Sequence, residues 1–314
     1  MRSRVLAILP PLAAASVLLA VYAVPTSTGT PEKTASSSSS IAVGPQYDTT
    51  HVYIEPGKMP AFAASWKATF GGTSTAVSVT DVTPTPSQTK SQLIFSPVGT
   101  LSVFDFQTPI PYPFGSERTG WLLTNMAAGI RQAQASGAHV IVSPFPDPVG
   151  RDAVIQFPGG INTQVYWHTT APSYKALKTI PENRVYVPAD AVSAFLRSYL
   201  KFSSGSVLSD SPKADAGEIG LPGKTYRKIR LTSPFGRTVI MVTDGHLPYP
   251  FGREVTGYEV SSLSSTLTKA KAAGATVLWG PHSASGRNSA IVKFPGGYIA
   301  EIHDVQQTSH AGQK

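Results

Sequence analysis

The sequence predicts an α+β fold made of two tandem copies of one domain, each copy built of two βαβββ modules. Three observations lead there. A set of short phrases returns at a fixed spacing of 137 residues. Strand-like and helix-like patterns follow one another as strand, helix, strands, twice within each copy. With 41% hydrophobic residues and 27 each of Gly and Pro, a chain of 314 residues can bury the cores of two turn-rich domains.

The repeat sets the domain limits. Ser96-Pro97-Val98-Gly99 returns as Ser233-Pro234-Phe235-Gly236, and Pro111-Tyr112-Pro113-Phe114-Gly115 returns unchanged at Pro248–Gly252. Gly120 matches Gly257, Pro144 matches Pro281, and Phe157-Pro158-Gly159-Gly160 returns as Phe294–Gly297. Gly150-Arg151 and Gly286-Arg287 differ by 136, which predicts a one-residue slip in a loop. Earlier in each copy the spacing is 133, with His51-Val52-Tyr53-Ile54 against Arg184-Val185-Tyr186-Val187, so a four-residue indel falls near residues 72–90. The copies span 47–168 and 183–304. Residues 169–182, with Pro172 and Pro181, join them, and residues 305–314 form a disordered tail.

Within copy one, His51–Glu55 reads as a strand and Pro60–Phe70 as a helix with Phe62 and Trp66 one turn apart. Val77–Thr80, Ser91–Phe95 and Leu101–Phe106 are strands. The PYPFG segment is a loop, because proline gives a ladder no donor. Trp121–Thr124 restarts the pattern, followed by a helix that Gly137 ends as a left-handed cap. His139–Val142, Ala153–Phe157 and Asn162–Trp167 complete the module. In copy two, Asp190 is the expected cap of a helix with the stripe Val192, Phe195, Leu196 and Tyr199. Ser262 caps the later helix, and Gly274 terminates it.

Composition excludes several classes. With no cysteine, the chain has no disulfide, thiolate metal site or cysteine nucleophile. The formal charge of +8 is spread without a run of Lys and Arg, which argues against nucleic acid as a partner. No phosphate-binding loop, dinucleotide fingerprint or serine nucleophile elbow is present. At the N-terminus, Arg2 and Arg4 precede the apolar stretch Val5–Ala20, and Val21-Tyr22-Ala23 supplies small residues for cleavage. Residues 1–23 therefore read as a signal peptide of an exported, periplasmic or extracellular protein. Membrane contact is expected only through that segment. An uncleaved anchor over Val5–Val24 is the other reading. Residues 24–46, with the run Ser36–Ser40, form a flexible spacer.

The order of elements resembles the vicinal oxygen chelate superfamily of glyoxalases, bleomycin-resistance proteins and extradiol dioxygenases. The resemblance is carried by the closing phrase of each copy. There an apolar strand, Phe-Pro-Gly-Gly and a last strand lead to Gln164 in copy one and Glu301 in copy two. It implies paired modules curling into a cleft, and in catalytic members a divalent metal (Fe, Mn, Zn, Ni or Cu) chelated by a small oxygenated compound. Carried over residue by residue, the ligand positions are His51, Phe104, Trp121 and Gln164 in copy one. In copy two they are Arg184, Met241, Tyr258 and Glu301. Phe, Trp and Met are not ligands for such a metal, so the sets depart from the family pattern.

The candidate metal ligands are thus His51, Gln164 and Glu301, with Asp105, Gln107 or His168 as further donors in copy one. A buried, hydrogen-bonded His51–Gln164 pair is the alternative there. In copy two an Arg184–Glu301 ion pair standing in for the metal, with His246 and His303 solvated, is set against a His246/Glu301/His303 site. Trp121, Tyr258, Arg184 and His246, with Tyr112 and Tyr249 as an aromatic lip, are the expected cleft residues; a plain proline turn is the other reading of PYPFG. Two functions stay open: a metal-dependent lyase, isomerase or dioxygenase on a small oxygenated substrate, or a non-catalytic binder of a small molecule. An envelope structural role is a third.

Overall fold

The computed structural model describes residues 40–305, apart from Pro45 and Lys178. The expected signal peptide, most of the spacer and residues 306–314 lie outside the described residues. Copy one opens with β1 (Thr50–Tyr53), α1 (Met59–Phe70), β2 (Thr73–Ser74), β3 (Ser78–Thr80), β4 (Thr89–Ser96) and β5 (Gly99–Phe106). Its second module is β6 (Gly120–Leu122), α2 (Met126–Ser136), β7 (His139–Asp147), β8 (Gly150–Phe157) and β9 (Ile161–His168). Copy two repeats the order with β10 (Glu182–Val187), α3 (Val192–Ser203), β11 (Ser206–Asp215), β12 (Thr225–Ser233) and β13 (Gly236–Val242). It closes with β14 (Val255–Glu259), α4 (Leu263–Ala272), β15 (Thr276–Ala284), β16 (Arg287–Lys293) and β17 (Ile299–Val305).

In every module the first strand lies parallel beside the last, so the helix crosses over one sheet face. In copy two the modules fuse through β10 and β14 into one eight-stranded sheet. In copy one they meet more loosely, through a bridge from Thr50 to Thr119 and the bonds His51 N to Arg118 O (3.0 Å) and Gly120 N to Thr49 O (3.1 Å).

The two largest cores are each shared between the copies. One core joins Val52, Phe62, Trp66 and Leu101 of copy one to Tyr258, Leu267, Phe294 and Ile302 of copy two. The other joins Trp121, Ala133, Ile155 and Phe157 to Val185, Phe195, Phe202 and Ile240. Helix α1 therefore packs on α4, and α2 on α3. The Phe-Pro-Gly-Gly turns are docking points between copies. Glu55 N donates to Gly296 O at 2.9 Å, and a Cβ on Gly296 (φ 85°) would lie 3.1 Å from that of Lys58. Gly159 (φ 88°) comes equally close to Val187, 3.2 Å from its Cγ1.

Several sequence expectations change. The strand ladders keep the spacing of 137 through the last hairpin: Gly150 faces His168 as Arg287 faces Val305. The one-residue slip is absent, and Arg287 occupies the place of Gly150. Asp190 does not cap α3, whose first turn follows Ala191 without a side-chain bond, whereas Ser262 Oγ accepts from Ser265 N at 3.3 Å. The fold begins before Tyr47: Ala42 bridges to Leu123, and the buried Gln46 amide brackets the backbone of Leu122. The indel separates a broken edge in copy one, β2 and β3, from the continuous ten-residue β11.

Candidate functional site

The two clefts are built alike and filled differently. Alternation along each strand sends odd-numbered residues of β1 into the cleft of copy one and even-numbered ones into the core. His51 and Tyr53 thus line a cavity of about 440 Å³, while Val52 belongs to the shared core. Phe104 and Ser102 on β5, Ser91 and Leu93 on β4, Asp152 on β8, and Gln164, Tyr166 and His168 on β9 complete its walls. One side comes from the inter-copy segment: residues 170–174 cross the cavity, and Tyr174 Oη donates to Asp48 Oδ1 at 2.8 Å. Asp48 also accepts from Ser102 Oγ at 2.7 Å, and its carbonyl accepts from Tyr166 Oη at 2.6 Å.

His51 and Gln164 share this cavity but do not bond to one another. His51 Nδ1 faces Glu117 Oε1 at 3.3 Å, and Tyr53 Oη donates to the same carboxylate. Glu117 is fully buried. Gln164 Nε2 donates instead to Asp152 Oδ2 at 2.8 Å. Burial pushes the Asp152 carboxyl well above the usual range, and Asp147, Asp48 and Glu117 add to the shift.

A hard divalent metal needs several converging oxygen or nitrogen donors. Among the described residues no three His, Asp or Glu side chains form such a group. On the neighbouring strand β6 the cleft-facing residue is Gly120, and a Cβ there would stand 2.4 Å from His51 Nε2. Asp105 is buried away from the cavity, bonded to Gly57 N at 3.0 Å and to the Gln107 amide at 2.9 Å. Neither Asp105 nor Gln107 lines the cavity. The residues present do not fit a resident metal.

In copy two the equivalent cleft keeps a cavity of about 400 Å³, but its walls are charged, with Glu182, Lys228, Arg230, Arg287 and His303 lining it. The short 3₁₀ turn Ala216–Ile219, which copy one lacks, packs with Tyr226, Val239, Met241, Phe251 and Ile291. Beside it lies a buried network of two arginines, two glutamates and a histidine. Arg184 Nη1 stands 3.5 Å from Glu301 Oε1 and 3.2 Å from Glu182 Oε1. Arg287 Nη2 reaches Glu182 Oε1 at 2.9 Å and Glu301 Oε1 at 3.2 Å, and His303 Nδ1 is 2.8 Å from Glu301 Oε2. Burial alone would raise the Glu301 carboxyl. Arg184, Arg287 and His303 together outweigh it and hold that carboxyl below the usual range. Glu301 is thus engaged by guanidinium groups, and it takes two of them.

Other expected cleft residues lie elsewhere. Trp121 stacks on Phe235 at 4.7 Å in one core, and Tyr258 packs on Trp66 at 4.9 Å in the other. The cleft-facing positions of those strands are Gly120 and Gly257. His246 is 91% exposed beside Asp244, and His303 is buried and not solvated. Tyr112 and Tyr249 are 76% and 62% exposed and line neither cleft, whereas Phe114 and Phe251 of the same loops are buried. The PYPFG segments are turns that anchor a phenylalanine. Sequence reasoning missed Glu117, Asp152, Asp48, Glu182 and Arg287. One signal was available: Glu117 and Glu254 recur at the spacing of 137.

This arrangement of four βαβββ modules is the vicinal oxygen chelate fold. The chain is similar to a triple mutant of 4-hydroxymandelate synthase from Streptomyces coelicolor, with 11% identity and a TM-score of 0.55 over 85% of this chain and 95% of that one. It is also similar to the 2,3-dioxygenase LapB from Pseudomonas sp. KL28, with 10% identity and a TM-score of 0.51 over 85% and 95%. A Mn(II)-bound glyoxalase from Novosphingobium aromaticivorans shares 13% identity and a TM-score of 0.50 over 85% and 86%. Neither a protein-family model nor a curated protein matches the sequence.

Proposed function

We propose that this chain is a small-molecule-binding protein, that its ligand occupies the cleft of copy one without a metal, and that copy two is a structural brace. The observation that carries the reading is the asymmetry of the clefts. One holds an aromatic-walled, mostly apolar cavity of about 440 Å³, and the other a cavity of about 400 Å³ walled by Lys228, Arg230, Arg287, Glu182 and His303 over an Arg–Glu network. A concave, mostly apolar cavity with a few oriented polar groups is the usual form of a ligand site. The metal-dependent lyase, isomerase or dioxygenase that the resemblance implies has the fold relatives in its favour. Against it, among the described residues no three His, Asp or Glu side chains converge as a ligand set. Export belongs to the same proposal and rests on the basic and apolar pattern of residues 1–23.

The test is elemental analysis after incubation with Fe(II), Mn(II), Zn(II), Ni(II) and Cu(II), paired with a thermal-shift screen of aromatic fragments in EDTA. The expected result is no stoichiometric metal and stabilisation by several fragments. About one metal per chain, lost on His51→Ala, or stabilisation that appears only with metal, would return the reading to a metalloenzyme.

A further inference from the structure

The cavity of copy one carries a charge pattern opposite to that of the whole chain. The chain has 26 Lys and Arg against 18 Asp and Glu, yet Asp48, Asp147 and Asp152 line the cavity and, among the described residues, no lysine or arginine does. Arg118 stacks over Tyr53 at 5.5 Å but does not line it. Asp48 is spoken for by the hydroxyls of Ser102 and Tyr174. Asp152 is not. It is only 6% exposed, Gln164 donates to its Oδ2, and its Oδ1 accepts from none of the described residues. Gln164, 7% exposed, turns its amide nitrogen to Asp152, and its Oε1 takes no part in that bond. Two nearly buried side chains thus line one cavity, and burial opposes the charge of the Asp152 carboxyl until a cation pairs with it. Around them stand the rings of Phe104, Tyr166 and Tyr174, whose faces attract cations.

Resting on the cleft reading above, we infer that the ligand of copy one is an organic cation with N–H donors on an apolar or aromatic body, an arylalkyl ammonium or amidinium. Its nitrogen bonds Asp152 Oδ1 and Gln164 Oε1, and its body packs on the aromatic walls. With a neutral ligand the carboxyl keeps its proton and no ion pair forms, and an anion would meet three aspartates.

The experiment is isothermal titration of the full protein with three probes of like size: 2-phenylethylammonium, 2-phenylethanol and 3-phenylpropanoate. The ammonium is expected to bind at least tenfold more tightly than the alcohol, with no detectable binding of the carboxylate. Asp152→Asn, which keeps the shape, should weaken ammonium binding at least tenfold and abolish its preference over the alcohol; a thermal melt checks that the variant is folded. Equal binding of the three probes, or a preference that survives Asp152→Asn, overturns the charge selection and leaves the cleft reading standing. Binding of none of them, with the fragment screen also blank, overturns both.

Discussion

Gln164 Nε2 donates to Asp152 Oδ2 at 2.8 Å, a bond without a counterpart in copy two, where Ser289 stands in the place of Asp152. The position matching Gln164 is Glu301, whose carboxylate is met by arginines instead. Gln164→Glu would set a second carboxylate against Asp152 in a buried place. Burial already raises the Asp152 carboxyl in the parent, and a second carboxylate beside it raises the pair further, so ionising the pair at neutral pH costs the variant more than the parent. Its melting temperature should fall below that of the parent at pH 7 and recover as the pH drops toward the unfolded carboxylate range. A deficit independent of pH would contradict the pairing.

Breaking the Arg–Glu network should be expensive. Glu301→Gln removes one of the two carboxylates that face Arg184 and Arg287, leaving buried guanidinium charge uncompensated at a cost of about 3–5 kcal/mol. Glu182 is also held below its usual value: burial works against its charge, and Arg287 and Arg184 outweigh burial. A depressed folded-state carboxyl adds stability above its unfolded value of 4.5 and loses it as the pH falls. Denaturant melts of the parent should therefore weaken below about pH 4.5, and Glu301→Gln should flatten that acid limb.

Glu254 predicts the opposite slope. Burial pushes its carboxyl up to about 8, and Glu117 adds to that against the hydrogen bond from Thr119 and the charge of Arg118. The unfolded chain ionises from 4.5 upward while the folded one keeps its proton until about 8, so the group weakens the fold progressively across that window. Glu254→Gln does not titrate. Its melting temperature should gain on the parent between those two values and then level off; a constant difference would be evidence against it.

Because the two largest cores draw on both copies, unfolding should be a single cooperative event. Trp66 contacts Phe294 and Tyr258 across the copies at 5.0 and 4.9 Å. Trp66→Ala should cost about 3–5 kcal/mol and shift one calorimetric transition as a whole. Two separable transitions, only one of them moved, would mean that the copies fold independently.

The repeat and the strand–helix order made the fold legible, since hydrophobic alternation and Gly-rich turns survive in both copies. What alternation could not fix was the face of a short strand. Reading Trp121 rather than Gly120 as the cleft residue is an error of one position, and in a strand one position reverses every side chain. The recurrence of Gly120 and Gly257 was the clue, because a strand glycine marks a close approach, here to His51 and to Glu301. Arg184 facing Glu301 could be argued from the repeat. The second arginine could not: Arg287 was aligned one residue off, against Arg151. Asp48 acts through Ser102 and Tyr174, distant in sequence, which no local pattern reveals.

The most direct measurement is a ¹⁵N correlation spectrum of the protein in EDTA, titrated with an aromatic fragment that stabilises it. The account predicts shifts at the backbone of Ser102, Asp152, Gln164 and His168, all around the cavity of copy one, and none around Arg184, Met241 and Glu301. Shifts that cluster in copy two, or that appear only when a divalent metal replaces the EDTA, would contradict it.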